Sequence, residues 1–281
     1  MQKIIFLHIP KNAGSTIRDI TRRQYSPKGV FTIPSGVAME STLEQLEQLS
    51  VHQSQKIQLI EGHFGFGTHE LIAQPATYFT FLRKPVDRFI SAYSYIKQTS
   101  SHEHHQVIKS QNFSLDDYVN SNLIKEQALD NIQVRFLSGK RGRINRSNLR
   151  ESALEEAKAN LKNSFVVVGL VEEFEKSLLL LKKKINWKNV FYISQNRSHQ
   201  NQTYYSENTL NLIKELNQLD LRLYEYGCEL FKSQIENEGS QFIEEVEQFK
   251  SLNQSQVGHF SGVASSAFSK IRKGLYKYTG V

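Results

Sequence analysis

The stretch FLHIPKNAGST, residues 6–16, runs from apolar residues into a loop that carries Lys11, Gly14, Ser15 and Thr16. Such a set suits an oxyanion. Gly14 lets the backbone approach closely, the two hydroxyls donate, and Lys11 brings a movable positive charge. A helix start behind them adds N–H groups and a partial positive charge. The usual nucleotide loop, G-x-x-x-x-G-K-[ST], is absent, because Lys11 precedes the glycine. That order is wrong for an ATPase and points to another phosphate donor; an ordinary strand-to-helix turn with a capping serine has the same look. A second stretch, FLRKPVDRFISAYSYIK (81–97), puts Arg83 at a strand exit and Ser91 inside the next helix. A guanidinium can fork onto a phosphate while a hydroxyl adds a donor, although Arg83 taken alone would equally pair with a carboxylate. In a third, EGHFGFG (61–67), His63 is a titratable group at a strand end. A neutral imidazole can take a proton near neutral pH, and it can also be a hydrogen-bonded structural histidine.

Positioning these residues requires alternating strands and helices. Strands are expected at KIIFLHI (3–9), IQLIEGH (57–63), TYFTFLR (77–83), FVVVGLV (165–171) and NVFYIS (189–194). Helices are expected at about 15–25, from Ser41 (where S-T-L-E forms a capping box), and from Pro85 through Lys97. Further helices fall at about 148–162, 172–184 and 206–231, the last with a core-facing stripe of Leu212, Leu216, Leu219 and Leu223. The alternation predicts an α/β fold with a largely parallel sheet. In such sheets ligands sit beyond the carboxyl ends of the strands. If the first three strands are parallel neighbours, Lys11, His63 and Arg83 converge on one rim. Residues 1–231 read as the folded domain, and 232–281, rich in Ser, Gln, Gly and Glu, as a tail that is partly helical or disordered. A membrane-surface helix at its basic end, SKIRKGLYKYTGV, is a lesser reading, and a membrane is not required.

The chain has 281 residues, a net charge of +7, 39% hydrophobic and 11% aromatic residues, enough for a real core and suggestive of an anionic ligand or partner. No apolar run approaches the length of a transmembrane helix, and no charged-then-apolar leader is visible. The single cysteine, Cys228, rules out an internal disulfide framework and fits a reducing, cytoplasmic setting.

Taken together, HIPKNAGST and FLRKPVDRFISAYSY resemble the two cofactor signatures of carbohydrate sulfotransferases, especially the heparan sulfate and uronyl 2-O-sulfotransferases. EGHFGFG resembles the segment that carries their base, and DNIQVRFLSG (130–139) and FVVVGLVEEFEKSLLLL (165–181) resemble later blocks. The resemblance spans roughly residues 3–231. It implies a P-loop-like three-layer fold and transfer of a sulfuryl group from 3′-phosphoadenosine-5′-phosphosulfate (PAPS) to a hydroxyl of a carbohydrate acceptor, by in-line displacement and without a metal. It assigns His63 as base and Lys11 as the cation that steadies the departing phosphate oxygen. Lys11, Asn12, Ala13, Gly14, Ser15 and Thr16 would hold the 5′-phosphate, and Arg83 and Ser91 the 3′-phosphate. Arg197, after NVFYIS, would close over the nucleotide. The animal enzymes are anchored in the Golgi and rich in cysteine; this sequence departs from both features, and that departure favours a bacterial, cytosolic member.

The remaining eye-catching residues are weaker. His102, His104 and His105 read as a polar loop rather than a metal site. Lys140, Arg141, Arg143, Arg146 and Arg150 would guide an acidic glycan or form a solvated turn; no element for reading nucleic acid is visible. The competing functions are a nucleotide-dependent kinase-like enzyme, for which no Walker-B strand ending in Asp is found, and a non-catalytic anion- or glycan-binding protein on the same fold.

Overall fold

The computed structural model describes residues 2–34, 36, 38–72, 74–123, 129–139, 149–193 and 204–263, with side chains as far as 255. The chain opens with β1 (Lys3–Leu7) and α1 (Gly14–Gln24), then β2 (Val30–Ile33), α2 (Ala38–Glu47), α3 (Val51–Lys56) and β3 (Leu59–Gly62). It continues with β4 (Ala76–Leu82), α4 (Pro85–Gln98), α5 (His105–Ser110), α6 (Leu115–Asn120), α7 (Ile132–Leu137), α8 (Glu151–Ser164) and β5 (Phe165–Leu170). The last elements are α9 (Phe174–Ile185), α10 (Glu207–Leu216), α11 (Gln218–Glu236) and α12 (Gln241–Val263).

The five strands form one sheet in the order β2-β3-β1-β4-β5. Every neighbouring pair is parallel, with Leu7 opposite Gly62 and Phe6 opposite Phe79. Ile5, Phe6 and Leu7 point alternately to the two faces, yet each is at most 1% exposed. Both faces of the sheet are therefore covered by helices, which is the condition for a parallel sheet and confirms the expected three-layer α/β architecture. The order reverses at β1: the chain runs outward from β1 to β2 and returns by β3, then crosses to β4 and β5 on the other side. That is the position where such sheets open a crevice at their carboxyl ends. A second cluster, built on Phe89, Tyr93, Ile108, Leu115, Tyr118 and Ile213, stacks α5, α6 and α10 against α4.

Several local expectations need correction. The short strand β2, VFTI between Gly29 and Pro34, was not expected from the sequence. The helix expected to begin at Ser41 begins at Ala38; the Ser41 and Thr42 hydroxyls donate to the Ala38 carbonyl instead of capping. Residues 189–193 form no strand. Asn253 takes the place of a partner strand there, accepting from the Tyr192 N–H at 2.9 Å and donating to its carbonyl at 3.1 Å. The single helix expected over 206–231 is broken at Asn217, so its leucines divide between two clusters, Leu212 and Leu216 beside α4 and Leu219 and Leu223 in the main core.

The boundary expected at 231 falls inside α11, and α12 continues the core beyond it. Phe242 and Val246 are fully buried, and Phe249 stacks on Phe191 with ring centres 5.4 Å apart. Residues 264–281 lie outside the described residues. Phe242→Ala should therefore destabilise the protein by about 3–5 kcal/mol, the range for deleting a buried aromatic ring. Urea denaturation checks this; a loss below about 1 kcal/mol would mean that α12 is not part of the core.

Candidate active site

Beyond Leu7 the strand pairing runs on for one residue, with the His8 N–H donating to the Gly62 carbonyl at 3.0 Å. The chain then turns sharply. Lys11 and Ala13 both have positive φ, 71° and 59°, a region that side chains make costly. Asn12 between them is buried, and its amide donates to the Phe81 carbonyl at 2.7 Å and to Gln133 Oε1 at 3.0 Å. Of the loop residues expected to hold a phosphate, Asn12 thus turns its side chain inward and ties the loop to β4. Ala13 is the N-cap of α1, with no side-chain cap and no acidic residue in the first turn. Gly14, Ser15 and Thr16 form that turn. A helix start left without a capping acceptor attracts an anion.

Arg83, half-buried at the end of β4, donates from Nη1 to the Lys11 carbonyl at 3.0 Å. Gln133 holds both peptide groups of Arg83, accepting from its N–H and donating to its carbonyl, each at 3.0 Å. Lys11 Nζ stands 4.2 Å from the centre of the Tyr95 ring. Tyr95 lies one turn beyond Ser91 on α4, so Ser91 shares the helix face toward which Lys11 reaches. Burial, and then the charge of Arg83, hold the Lys11 ammonium down at about 8, and burial lowers Arg83 as well. Two cations drawn together in this way await a counter-charge.

His63 follows Gly62, whose φ of 153° and close approach to the Ile33 carbonyl leave no room for a side chain. His63 is half-buried and lies edge-on to His8, ring centres 4.3 Å apart. His8 is fully enclosed. Burial, followed by the nearby His63, Arg18 and Lys11, pushes its pKa well below the usual histidine range. The rim therefore does gather Lys11, Arg83, Ser91, the α1 start and His63, as the spacing of the strands requires.

Beneath the rim lies a support that sequence reasoning missed. Asp220 at the start of α11 accepts from the N–H groups of Gln133 and Val134, at 3.0 and 2.8 Å. Asn131, in the left-handed region, accepts from the Leu219 and Asp220 N–H groups, while its own N–H donates to Asn217. Arg88 is wholly buried and donates to the Leu129 carbonyl at 2.6 Å. Burial raises Asp220 to about 6 and lowers Arg88 to about 10, each opposed by the other's charge. The block DNIQVRFLSG was the sequence signal for this support, although no local pattern told its purpose.

Other expected residues are not brought to the rim. Arg197 lies outside the described residues, as do Lys140, Arg141, Arg143 and Arg146. Arg150 is at the exposed start of α8 and donates to the Leu149 carbonyl. His104 and His105 are buried against α4, with His105 Nδ1 3.1 Å from the Ile96 carbonyl. Among the described residues, no group of three or more His, Cys, Asp or Glu side chains is placed to hold a metal. None of the described helices is long and apolar enough to cross a membrane. A cavity of about 1260 Å³ opens at the opposite, amino-terminal ends of the strands, beside Ile4, Tyr25, Thr77 and Trp187, away from the loop.

Fold and site together define a parallel α/β protein with two cations, an uncapped helix start and a histidine gathered at a strand switch point. The chain belongs to the galactose-3-O-sulfotransferase family, whose model matches residues 1–259. The carbohydrate sulfotransferase assignment thus holds, and the branch matched is the galactose 3-O one, where the motifs resembled the 2-O enzymes. Among solved structures, a mouse sulfotransferase, SULT7A1, complexed with PAP, covers 80% of this chain and 89% of its own at 13% identity and a TM-score of 0.43. No curated protein matches the sequence.

The charge state of Lys11 gives a direct test. Its lowered pKa means that the ammonium is present below about 8 and is lost as the pH rises through that value. An anion at the loop restores the charge, so binding of adenosine 3′,5′-bisphosphate (PAP) above pH 8 should take up protons and weaken with rising pH. Calorimetry in buffers of different ionisation heat reads the uptake; Lys11→Met should abolish it. Uptake unchanged in that variant would assign the proton to another group.

Proposed function

We propose that this protein transfers a sulfuryl group from PAPS to a carbohydrate hydroxyl, with His63 taking the proton of the acceptor. The observation that carries the reading is the convergence of Lys11, Arg83 and an uncapped helix start on one rim with His63. The residues fit the donor: two partly buried cations and a line of first-turn amides match a molecule with phosphates at both ends of a ribose. When bound, PAPS supplies the sulfuryl group. Lys11 leaves its seat on Tyr95 to neutralise charge on the departing oxygen, in the manner of preorganised cations in phosphoryl transfer. Gly14, Ser15 and Thr16 hold the 5′ end. Arg83 and Ser91 read the 3′-phosphate and so exclude nucleotides that lack it. His63, half exposed, can reach an acceptor that enters from solvent.

The family description supports galactose as the accepting sugar and its 3-hydroxyl as the target. The net charge of +7 supports a glycan that carries acidic groups. A reducing, cytoplasmic setting is part of the same proposal, supported by the single cysteine.

Incubation with ³⁵S-labelled PAPS and galactose-terminated glycans, charged and neutral, with mass analysis of the products, tests the activity. His63→Ala should lower kcat by about 10²–10⁴-fold while PAP affinity stays near the wild-type value. Wild-type turnover in this variant would remove His63 from the chemistry. Arg83→Ala should weaken PAP by about 1.5–3 kcal/mol, the scale of a hydrogen bond to a charged group. It should leave adenosine 5′-phosphosulfate, which has no 3′-phosphate, nearly unaffected. Equal losses for the two ligands would show that Arg83 does not read the 3′ end.

A further inference from the structure

His8 has no part in the chemistry described above, yet it touches both halves of it. A side chain at Gly14 would begin 1.6 Å from His8 Nε2, so the imidazole tip occupies the space that any other residue at 14 would need. On its other side the ring meets His63, with centres 4.3 Å apart and planes at 68°. Phe6 stacks on it at 5.2 Å. Arg18 Nη2 lies 3.5 Å from His8 Nδ1, and the same guanidinium faces Glu61, with Nε 3.8 Å from Oε1. A guanidinium has only donors, so a bond from Arg18 makes Nδ1 the accepting nitrogen, and burial lowers the pKa of His8; both favour the neutral ring. Neutrality matters beside a base: a second cation would oppose the positive charge that His63 gains with its proton.

We propose that His8 is a positioning residue: wedged between Gly14 and His63 and pinned by Arg18, it sets the separation between the donor loop and the base. The proposal rests on the reading of residues 11–16 as the donor loop and His63 as the base. A misplacement of about 1 Å at such a site costs on the order of 10²-fold in rate. Gly14 is a glycine for the same reason, since its backbone is helical and needs no glycine for conformation.

The test combines kinetics with a double-mutant cycle. His8→Asn keeps an acceptor for Arg18 but removes the ring edge that meets His63. It should lower kcat by about 10–100-fold, with PAP Kd and acceptor KM within about threefold of wild type, a split that general unfolding would not produce. Gly14→Ala should weaken PAP binding by about tenfold or more in the wild-type background, and by less than about threefold in the His8→Ala background, where the collision is gone. Calorimetry and thermal melting follow both arms, and His8→Asn carries the test by itself if His8→Ala does not fold. Wild-type kcat in His8→Asn, or equal Gly14→Ala losses in both backgrounds, overturns the role of His8 alone. A wild-type chain that binds no PAP and transfers no sulfuryl group overturns the function, and this role with it.

Discussion

The geometry of the crevice depends on one buried amide, that of Gln133. Its oxygen accepts from the Arg83 N–H and from Asn12, and its nitrogen donates to the Arg83 carbonyl. Two loops that leave different strands are thereby held in one frame by a residue far from both in the chain. A buried amide group left unpaired costs about 1–3 kcal/mol, so losing any one of the three bonds is costly. Asp220 fixes the backbone of Gln133 from below, and the charges of Asp220 and the buried Arg88 favour one another. Removing one member of such a pair leaves an uncompensated charge in the interior, which is far worse than never having the pair.

The clamp on Asn12 also sustains strain. Lys11 and Ala13 both occupy the left-handed region, at a cost of about 1–3 kcal/mol each. This conformation swings the Asn12 side chain inward while the Lys11 side chain reaches out to Tyr95, so that one short loop is anchored on one side and charged on the other. It also starts α1 without a cap. An acidic or capping side chain there would stabilise the helix and occupy the place of an anion. Strain, an uncapped helix and two crowded cations are three local costs at one point. An anion at this point would offset the last two.

The placement of the rim residues was legible in the sequence where it is local. Strand exits carry Lys11, His63 and Arg83, and apolar runs separated by helical patterns imply a parallel sheet; that β3, β1 and β4 are neighbours is what the structure adds. What was not legible is non-local. β2 is four residues long and gives too short a run to stand out. NVFYIS has strand composition, but its backbone is met by a side chain of α12, a pairing that no local pattern encodes. The leucines of 206–231 keep one helical period through Asn217, although the chain breaks there to meet Asn131. His8 looks like the end of a strand; its role appears only when Gly14, His63 and Arg18 are seen around it.

The same distinction explains why the folded unit extends past residue 231. The segment 189–193 passes close to α1, where Arg23 donates to the Phe191 carbonyl and Gln24 to that of Asn189. Its other side is held by Phe249 and Asn253 of α12. α12 in turn packs on α9, with Lys183 bridging Glu238 and Glu245. Without α12 the segment 189–193 would lose the Asn253 bonds and leave Phe191 exposed, next to the helix that starts at the rim. A polar composition marks α12 as a tail, but three apolar residues at 242, 246 and 249 are enough to make it a wall of the core. The family match running to residue 259 is what such a wall requires.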